Sequence, residues 1–255
     1  MFNGKSLNTI YLFDGTLEGL LTIVFKCYIE KTIPVKIYDI SLYQSNLLYE
    51  TKYIETDLQK ADRIYNGIHN NISTLTWHRI SYAFLSFQEK KNLAIVKYIL
   101  NGFVVGPKID EMLSLDYVLD VYKISRRVLG EAHRLKGLAR FQEVAPNLCY
   151  CSLHPDNNVI EDLGHFFMKR IPTQNFILHD KVREIVFIYN QKDYRVAKIH
   201  NENFTMPDLT QEEKEYQALW KKFFHTIAIK ERTNPRLQMQ FMPKKYWNDL
   251  IEKKG

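Results

Sequence analysis

Hydrophobic spacing changes character near Leu138, and that change does more than any other feature to limit the folds open to this chain. Before it, apolar residues recur mostly at helical intervals; after it they alternate, as in half-buried strands. Leu138 to Val144 and Leu148 to Leu153 read as a hairpin around the turn Ala145-Pro146-Asn147. A helix starting at Asp156 or Asn157 places Ile160, Leu163, Gly164 and Phe167 on one face. Strands follow at about 175–179, 183–189 and 194–199, the last two flanking a polar loop at 190–193. The order strand, strand, helix, strand, strand, strand describes an α+β domain with a mainly antiparallel sheet flanked by helices.

The first half is richer in helix. Ile10 to Phe13 reads as a strand that turns through Asp14-Gly15-Thr16 into a helix with Leu17, Leu20, Leu21, Val24, Phe25 and Tyr28 on its apolar side. Asp14 is expected to cap that helix. A strand turning tightly into a helix is also the local geometry of phosphate sites, but only Gly15 and Gly19 are near and no lysine follows as in a P-loop. Val35 to Ile40 reads as a short strand, Asp57 as the cap of a helix, and further helical patterns lie at about 74–87 and 89–101. The pattern stops around Gly102 to Pro107. Residues 1–108 are therefore expected to form an N-terminal α/β-type region and 109–255 a C-terminal α+β domain, or both together one compact unit. The last long helix opens at Thr210 with Glu213 three residues on, a capping-box pattern, and is expected to bury Leu219, Trp220, Phe223 and Ile227.

No apolar run reaches the roughly 18 to 20 residues of a membrane-spanning helix, and Met1 to Phe13 lacks the basic start and apolar centre of a signal peptide. No membrane association and a cytoplasmic location are expected. The three cysteines, an odd number, suit a reducing compartment rather than a disulfide framework. Charge is divided unevenly: residues 1–120 hold 12 basic and 13 acidic side chains, and residues 121–255 hold 23 and 16. A basic excess confined to the second half favours DNA or another nucleic acid as partner, although solvated surfaces also carry such imbalances.

Advancing each residue of the helix at about 115–135 by 100° separates two faces. Val118, Val121, Ile124, Val128, Ala132 and Leu135 form one; Lys123, Arg126, Arg127 and Arg134, with Gly130 among them, form the other. The basic stripe suits a phosphate backbone, or is a solvated helix face. Near the C-terminus, Pro235 biases Asn234 away from helix and is expected to end the long helix, projecting Arg232 and Arg236 near its terminus. Arg232, Arg236, Lys244 and Lys245 offer cations for phosphate, as does Arg140; Asn234 can bond a base edge, and Tyr246 or Trp247 can stack on an unpaired base. The opposing reading packs Phe241, Met242, Tyr246 and Trp247 onto the core.

His133, His154, His165 and Asp180 are the candidates for acid–base catalysis. Each also has a structural reading: His165 bonding a backbone carbonyl, Asp180 pairing with Arg183. Glu131 and His133 are two apart on a helix and point in nearly opposite directions, so they cannot serve one ion together unless the helix ends near Gly130. Cys149 and Cys151 face the same side of one strand but lack further ligands beyond His154, so no metal site is assigned.

The ordered landmarks Glu131-Ala-His133-Arg134, Arg140-Phe141, His154-Pro155, His165-Phe166, Ile177-Leu-His-Asp180 with Arg183, Tyr216 to Trp220, Glu231-Arg232 with Asn234, and Met242-Pro243 with Tyr246-Trp247 resemble a family of uncharacterised proteins assigned to DNA metabolism or DNA repair. Members accompany a radical SAM protein, and related domains occur fused to uracil-DNA-glycosylase-like domains. The Asp14-Gly15 start resembles the family's N-terminal region. One departure is Lys169, which stands where the family pattern has an arginine four residues after His165; Arg170 follows it. The resemblance implies a DNA-repair or DNA-modification accessory protein that binds nucleic acid and works with a radical SAM partner. Cluster chemistry needs three closely spaced cysteines and so falls to that partner, leaving no cofactor in this chain. The alternatives are an enzyme acting on a damaged base or nucleotide, hydrolase- or glycosylase-like, and a protein-interaction scaffold.

Overall fold

The computed structural model describes residues 1–44, 48–199, 208–227 and 229–253. They form an α+β fold in two compact units, Met1–Leu129 and Gly130–Gly255. In chain order the first unit contains β1 (Lys5–Ser6), β2 (Thr9–Phe13), α1 (Leu17–Glu30), β3 (Thr32–Ile33), β4 (Lys36–Asp39), β5 (Glu50–Tyr53), α2 (Leu58–Asn71), α3 (Thr74–Phe84) and α4 (Lys91–Val105). Helix α5 (Asp116–Leu138) begins in it and runs into the second. The main sheet of the first unit has the order β4-β2-β5, all parallel. Tyr11, Phe13, Leu20, Ile23, Val24, Ile37, Ile95 and Ile99 are buried in its core.

Asp57 caps α2 as expected, its side chain accepting from Lys60 N at 3.1 Å. Asp14 does not cap α1. Thr16 does, accepting from Gly19 N at 3.0 Å, while Asp14 sits before it and accepts from the amide and hydroxyl of Thr16 at 3.0 and 2.6 Å. The reason is steric: Gly15 takes φ 79°, which delays the helix and leaves Thr16 in the extended conformation that a cap needs.

The second unit follows the expected order: β6 (Gln142–Ala145), β7 (Leu148–Leu153), α6 (Ile160–Arg170), β8 (Asn175–Asp180), β9 (Ile185–Tyr189), β10 (Tyr194–Lys198), α7 (Gln211–Thr226), α8 (Pro235–Phe241) and two 3-10 turns, Lys244–Asp249 and Ile251–Lys253. The sheet order is β10-β9-β8-β7-β6. Only β7 and β8 are parallel, because only they are joined across a helix; the other neighbours are antiparallel. The strand expected from Leu138 starts at Gln142, since α5 holds its helical bonding through Leu138. Likewise α6 starts at Ile160, because Asp156 and Asn157 are engaged elsewhere.

The largest correction concerns α7. Thr210 caps it, but Glu213 accepts from Glu143 N instead of completing a capping box. Glu213, Gln217 and Trp220 turn inward, bonding Glu143, Gln142 and Glu252. Consequently Leu219, Phe223 and Ile227 are 64%, 53% and 57% exposed, and Trp220 is 40% exposed, where burial was expected. The helix spends its polar and indole groups on the fold and presents its aliphatic and phenyl groups outward. Pro235 also acts differently from expectation: α7 ends at Thr226, and Asn234 with Pro235 opens α8. Phe241 is exposed, whereas Tyr246 is buried.

Candidate functional site

The side chains proposed for catalysis do not converge as one set. His133 is exposed on α5. His165 is exposed on α6 and meets the rings of Tyr194 and Phe187 edge-on, with centroids 4.9 and 5.8 Å away. His154 and Asp180 lie together, at the carboxyl ends of the parallel strands: Leu153 of β7 is in register with Asp180 of β8. Carboxyl ends of parallel strands are where α/β sheets open a crevice to ligands.

Asp180 is fully buried and saturated. Its Oδ1 accepts from the amides of Val182 and Arg183 at 2.9 and 3.1 Å, and its Oδ2 from Arg183 Nη1 at 3.0 Å. Arg183 also donates to the carbonyl oxygens of Pro155 and Asp156, tying the β8–β9 turn to the segment after β7. Asp180 is therefore a turn lock.

His154 is placed differently. Its Nδ1 lies 2.8 Å from Oδ1 of Asp249, with the histidine side chain 47% exposed and the aspartate 5%. A carboxylate only accepts, so Nδ1 carries the proton of this bond and Nε2 is the ring nitrogen left outside it. A histidine oriented by a buried carboxylate is the arrangement that general-base catalysis requires.

Asp249 belongs to the C-terminal tail, and the tail is the common partner of this end of the unit. Glu131 on α5, 2% exposed, accepts from Asp156 N and Asn157 N at 2.9 Å each, from Asn157 Nδ2 at 2.6 Å, from Tyr246 hydroxyl at 2.7 Å and from Lys245 Nζ at 3.3 Å. Burial pushes its carboxyl up, but these donors outweigh burial and hold it below the ordinary range. Lys245 also pairs with Asp156, and its ammonium is shifted upward: burial works against the charge, and the interactions with Asp156, Tyr246 and Glu131 together outweigh it. Arg140 is engaged too. Its Nη2 and Nε reach Glu252 at 2.6 and 3.3 Å, and its Nη1 donates to the carbonyls of Gly137 and Ala139 at the end of α5.

Beside the dyad runs a second chain, buried at Tyr150 and His179 and reaching the surface at Glu184. The hydroxyl of Tyr150 lies 2.6 Å from Nδ1 of His179, whose Nε2 lies 2.9 Å from Glu184. The carboxylate fixes the proton on Nε2, so Nδ1 accepts from Tyr150. Burial holds the His179 imidazole below its ordinary value despite the Glu184 bond that opposes this.

The residues proposed for nucleic acid separate by whether their charge is already matched. Lys245 and Arg140 are paired internally, and Asn234 caps α8, accepting from Leu237 N at 3.0 Å. Lys123, Arg126, Arg127 and Arg134 are exposed along α5, and Arg232, Arg236 and Lys244 are exposed in the tail. Among the described residues none of these seven enters an ion pair.

No group of three or more His, Cys, Asp or Glu among the described residues is placed to hold a metal ion. Burial pushes the thiols of Cys27 and Cys151 up to about 12, so both behave as buried apolar groups. No described helix is long and apolar enough to cross a membrane.

Asp249, Glu252, Tyr150, His179 and Glu184 were missing from the sequence-based candidates. A signal for two of them existed. Asp249 and Glu252 flank the apolar pair Leu250-Ile251 in a tail rich in aromatics, and an acidic residue amid residues bound for burial needs an internal partner.

The sequence matches the domain of unknown function DUF4130 over residues 89–252. The chain belongs to that family. The DUF4130 region thus takes in α4, α5, the five-stranded sheet and the tail through Glu252, the carboxylate that holds Arg140. No curated protein matches the chain. Among solved structures, a pGpG-specific phosphodiesterase, PggH from Vibrio cholerae, resembles it at 9% identity with a TM-score of 0.35, over 71% of this chain and 81% of that one.

Proposed function

We propose that this DUF4130 protein binds nucleic acid through the basic face of α5 and serves as an accessory protein of DNA repair or modification alongside a radical SAM protein. The observation that carries the binding reading is the row of exposed cations Lys123, Arg126, Arg127 and Arg134, which no described carboxylate neutralises. Arg126 gives one donor to the Tyr122 hydroxyl at 3.1 Å, but its charge, like those of Arg127 and Arg134, stays unmatched and available to phosphate, whereas the guanidinium of Arg140 is paired with Glu252. The repair setting and the radical SAM partner come from the family resemblance.

Binding of single- and double-stranded DNA as a function of salt tests the reading. Each phosphate contact contributes about −0.9 to the slope of log affinity against log salt on duplex DNA, so Arg127→Ala with Arg134→Ala is expected to weaken binding and flatten the slope by about two. Absence of binding at low salt, or an unchanged slope in the double variant, sinks it.

A second reading, an enzyme acting on a damaged base or nucleotide, is favoured by the His154–Asp249 dyad alone. Product assays on lesion-bearing oligonucleotides, with and without the partner, are expected to show turnover that His154→Ala abolishes and Asp249→Asn lowers with a changed pH profile. Equal products from wild type and His154→Ala remove this reading.

A further inference from the structure

We infer that α7 is a self-association helix, pairing antiparallel with α7 of a second copy of this chain. The helix is 16 residues long. Its inward side is accounted for by Glu213, Gln217 and Trp220, which bond within the second unit. Adjoining that side, the helix carries Tyr216, Leu219 and Phe223, exposed by 75%, 64% and 53%, with the capping residue Ile227, 57% exposed, continuing the stripe in line with Trp220. Their spacing, +3, +7 and +11 from Tyr216, makes one continuous stripe. Apolar stripes of this kind mark contact with another surface.

Charge selects the occupant. In heptad terms Tyr216 and Phe223 take position a, Leu219 takes d, and Glu215 and Lys222 take g; Trp220 and Ile227 fall at e. In an antiparallel pair, g of one helix faces g of the other. Glu215 of each copy then meets Lys222 of its partner, twice over by the two-fold axis. A parallel pair would set these charges against apolar e positions and match nothing. The wider pattern agrees in sign: outside the inward-facing Glu213, the first half of the helix holds Glu212, Lys214 and Glu215 and the second Lys221 and Lys222, so an inverted copy sets a net acidic half against a basic one. An open groove of about 390 Å³ lined by Phe141, Tyr216, Trp220 and Ile251 flanks the stripe and can receive side chains of the opposing helix.

Sedimentation or light scattering on the full chain over a concentration series tests the inference. Reversible dimerisation is expected. Leu219→Glu with Phe223→Glu should give a monomer that melts as the wild-type monomer does at low protein concentration, since both side chains are exposed in the monomer. Glu215→Lys alone should weaken the dimer by about tenfold, through two lost pairs and new repulsion. Adding Lys222→Glu should restore it. A wild-type chain that stays monomeric throughout overturns the proposal, as does a dimer indifferent to Leu219 and Phe223. A dimer that Glu215→Lys weakens and Lys222→Glu fails to rescue overturns the antiparallel pairing. Capture of a different protein by these residues, with no self-association, overturns it in favour of that partner.

Discussion

Gly164 shows how one side-chain position is fixed by a neighbouring element. A Cβ there would lie 2.4 Å from the ring of Phe187, which is fully buried and stacked against Phe176 and Tyr194. The ring has little room to retreat, so Gly164→Ala is expected to destabilise by about 1–3 kcal/mol despite its gain in helix propensity. Thermal or denaturant melts would show it, and a neutral or stabilising result contradicts this packing. His179 is a second residue whose role depends on surroundings. Its imidazole binds protons more weakly folded than unfolded, so the unfolded chain takes up protons preferentially below about pH 6.5. The buried neutral ring thus favours the fold above that pH, and the advantage fades as pH falls. Melting temperature should drop over this interval in wild type and drop less steeply in His179→Asn. Equal slopes would place the titration elsewhere. Neither residue is identifiable from the sequence alone. Gly164 was placed on the correct helix face, yet nothing local names Phe187 as its neighbour, and the role of His179 depends on Tyr150 of β7 and on Glu184 in the turn that follows β8.

At the scale of elements, the tail changes meaning most. Its sequence offers cations and stacking rings to nucleic acid, or aromatics to the core; its 3-10 turns bring Tyr246, Asp249, Leu250, Ile251 and Glu252 to buried positions, while Arg232, Arg236 and Lys244 stay exposed. Ending the chain after residue 240 removes the Tyr246 and Lys245 donors to Glu131 and the carboxylate that holds Arg140. Full burial of a large apolar side chain is worth about 1.5–3 kcal/mol, so loss of several approaches the whole stability of an ordinary domain. The shortened chain is expected to lose cooperative melting of the second unit, measurable by near-UV circular dichroism; retention of a native-like transition would show that the tail is dispensable. Loss of any partner in such a deletion therefore reports unfolding, and the exposed α7 stripe is better tested by point changes. Element identity was legible because the period of the pattern declares helix or strand. Orientation was not, since amphipathicity says that a helix has an apolar face and does not say what that face meets.

For the whole molecule, the fold class followed from the order of periods: a lone helix between strands implies one parallel pair within an otherwise antiparallel sheet, and β7 and β8 are that pair. The candidate site followed only in part. His154 was visible, whereas its orienting carboxylate lies 95 residues away at the end of the chain. The charge split was visible as well, but which cations remain unmatched depended on contacts such as Arg140 with Glu252 and Lys245 with Asp156. That sorting gives the two proposed surfaces different responses to salt. Phosphate contacts made by α5 release counterions, so affinity should fall steeply as salt rises. Pairing of α7 rests on removing Tyr216, Leu219, Phe223 and Ile227 from water, with only two exposed charge pairs at its edge, and should change little. Raising salt from about 0.05 to about 0.5 M is therefore expected to release DNA while the chain stays dimeric, with sedimentation of mixtures following both at once. If dimer and complex dissolve together over that range, the stripe is not what holds the copies, and electrostatics must carry both associations.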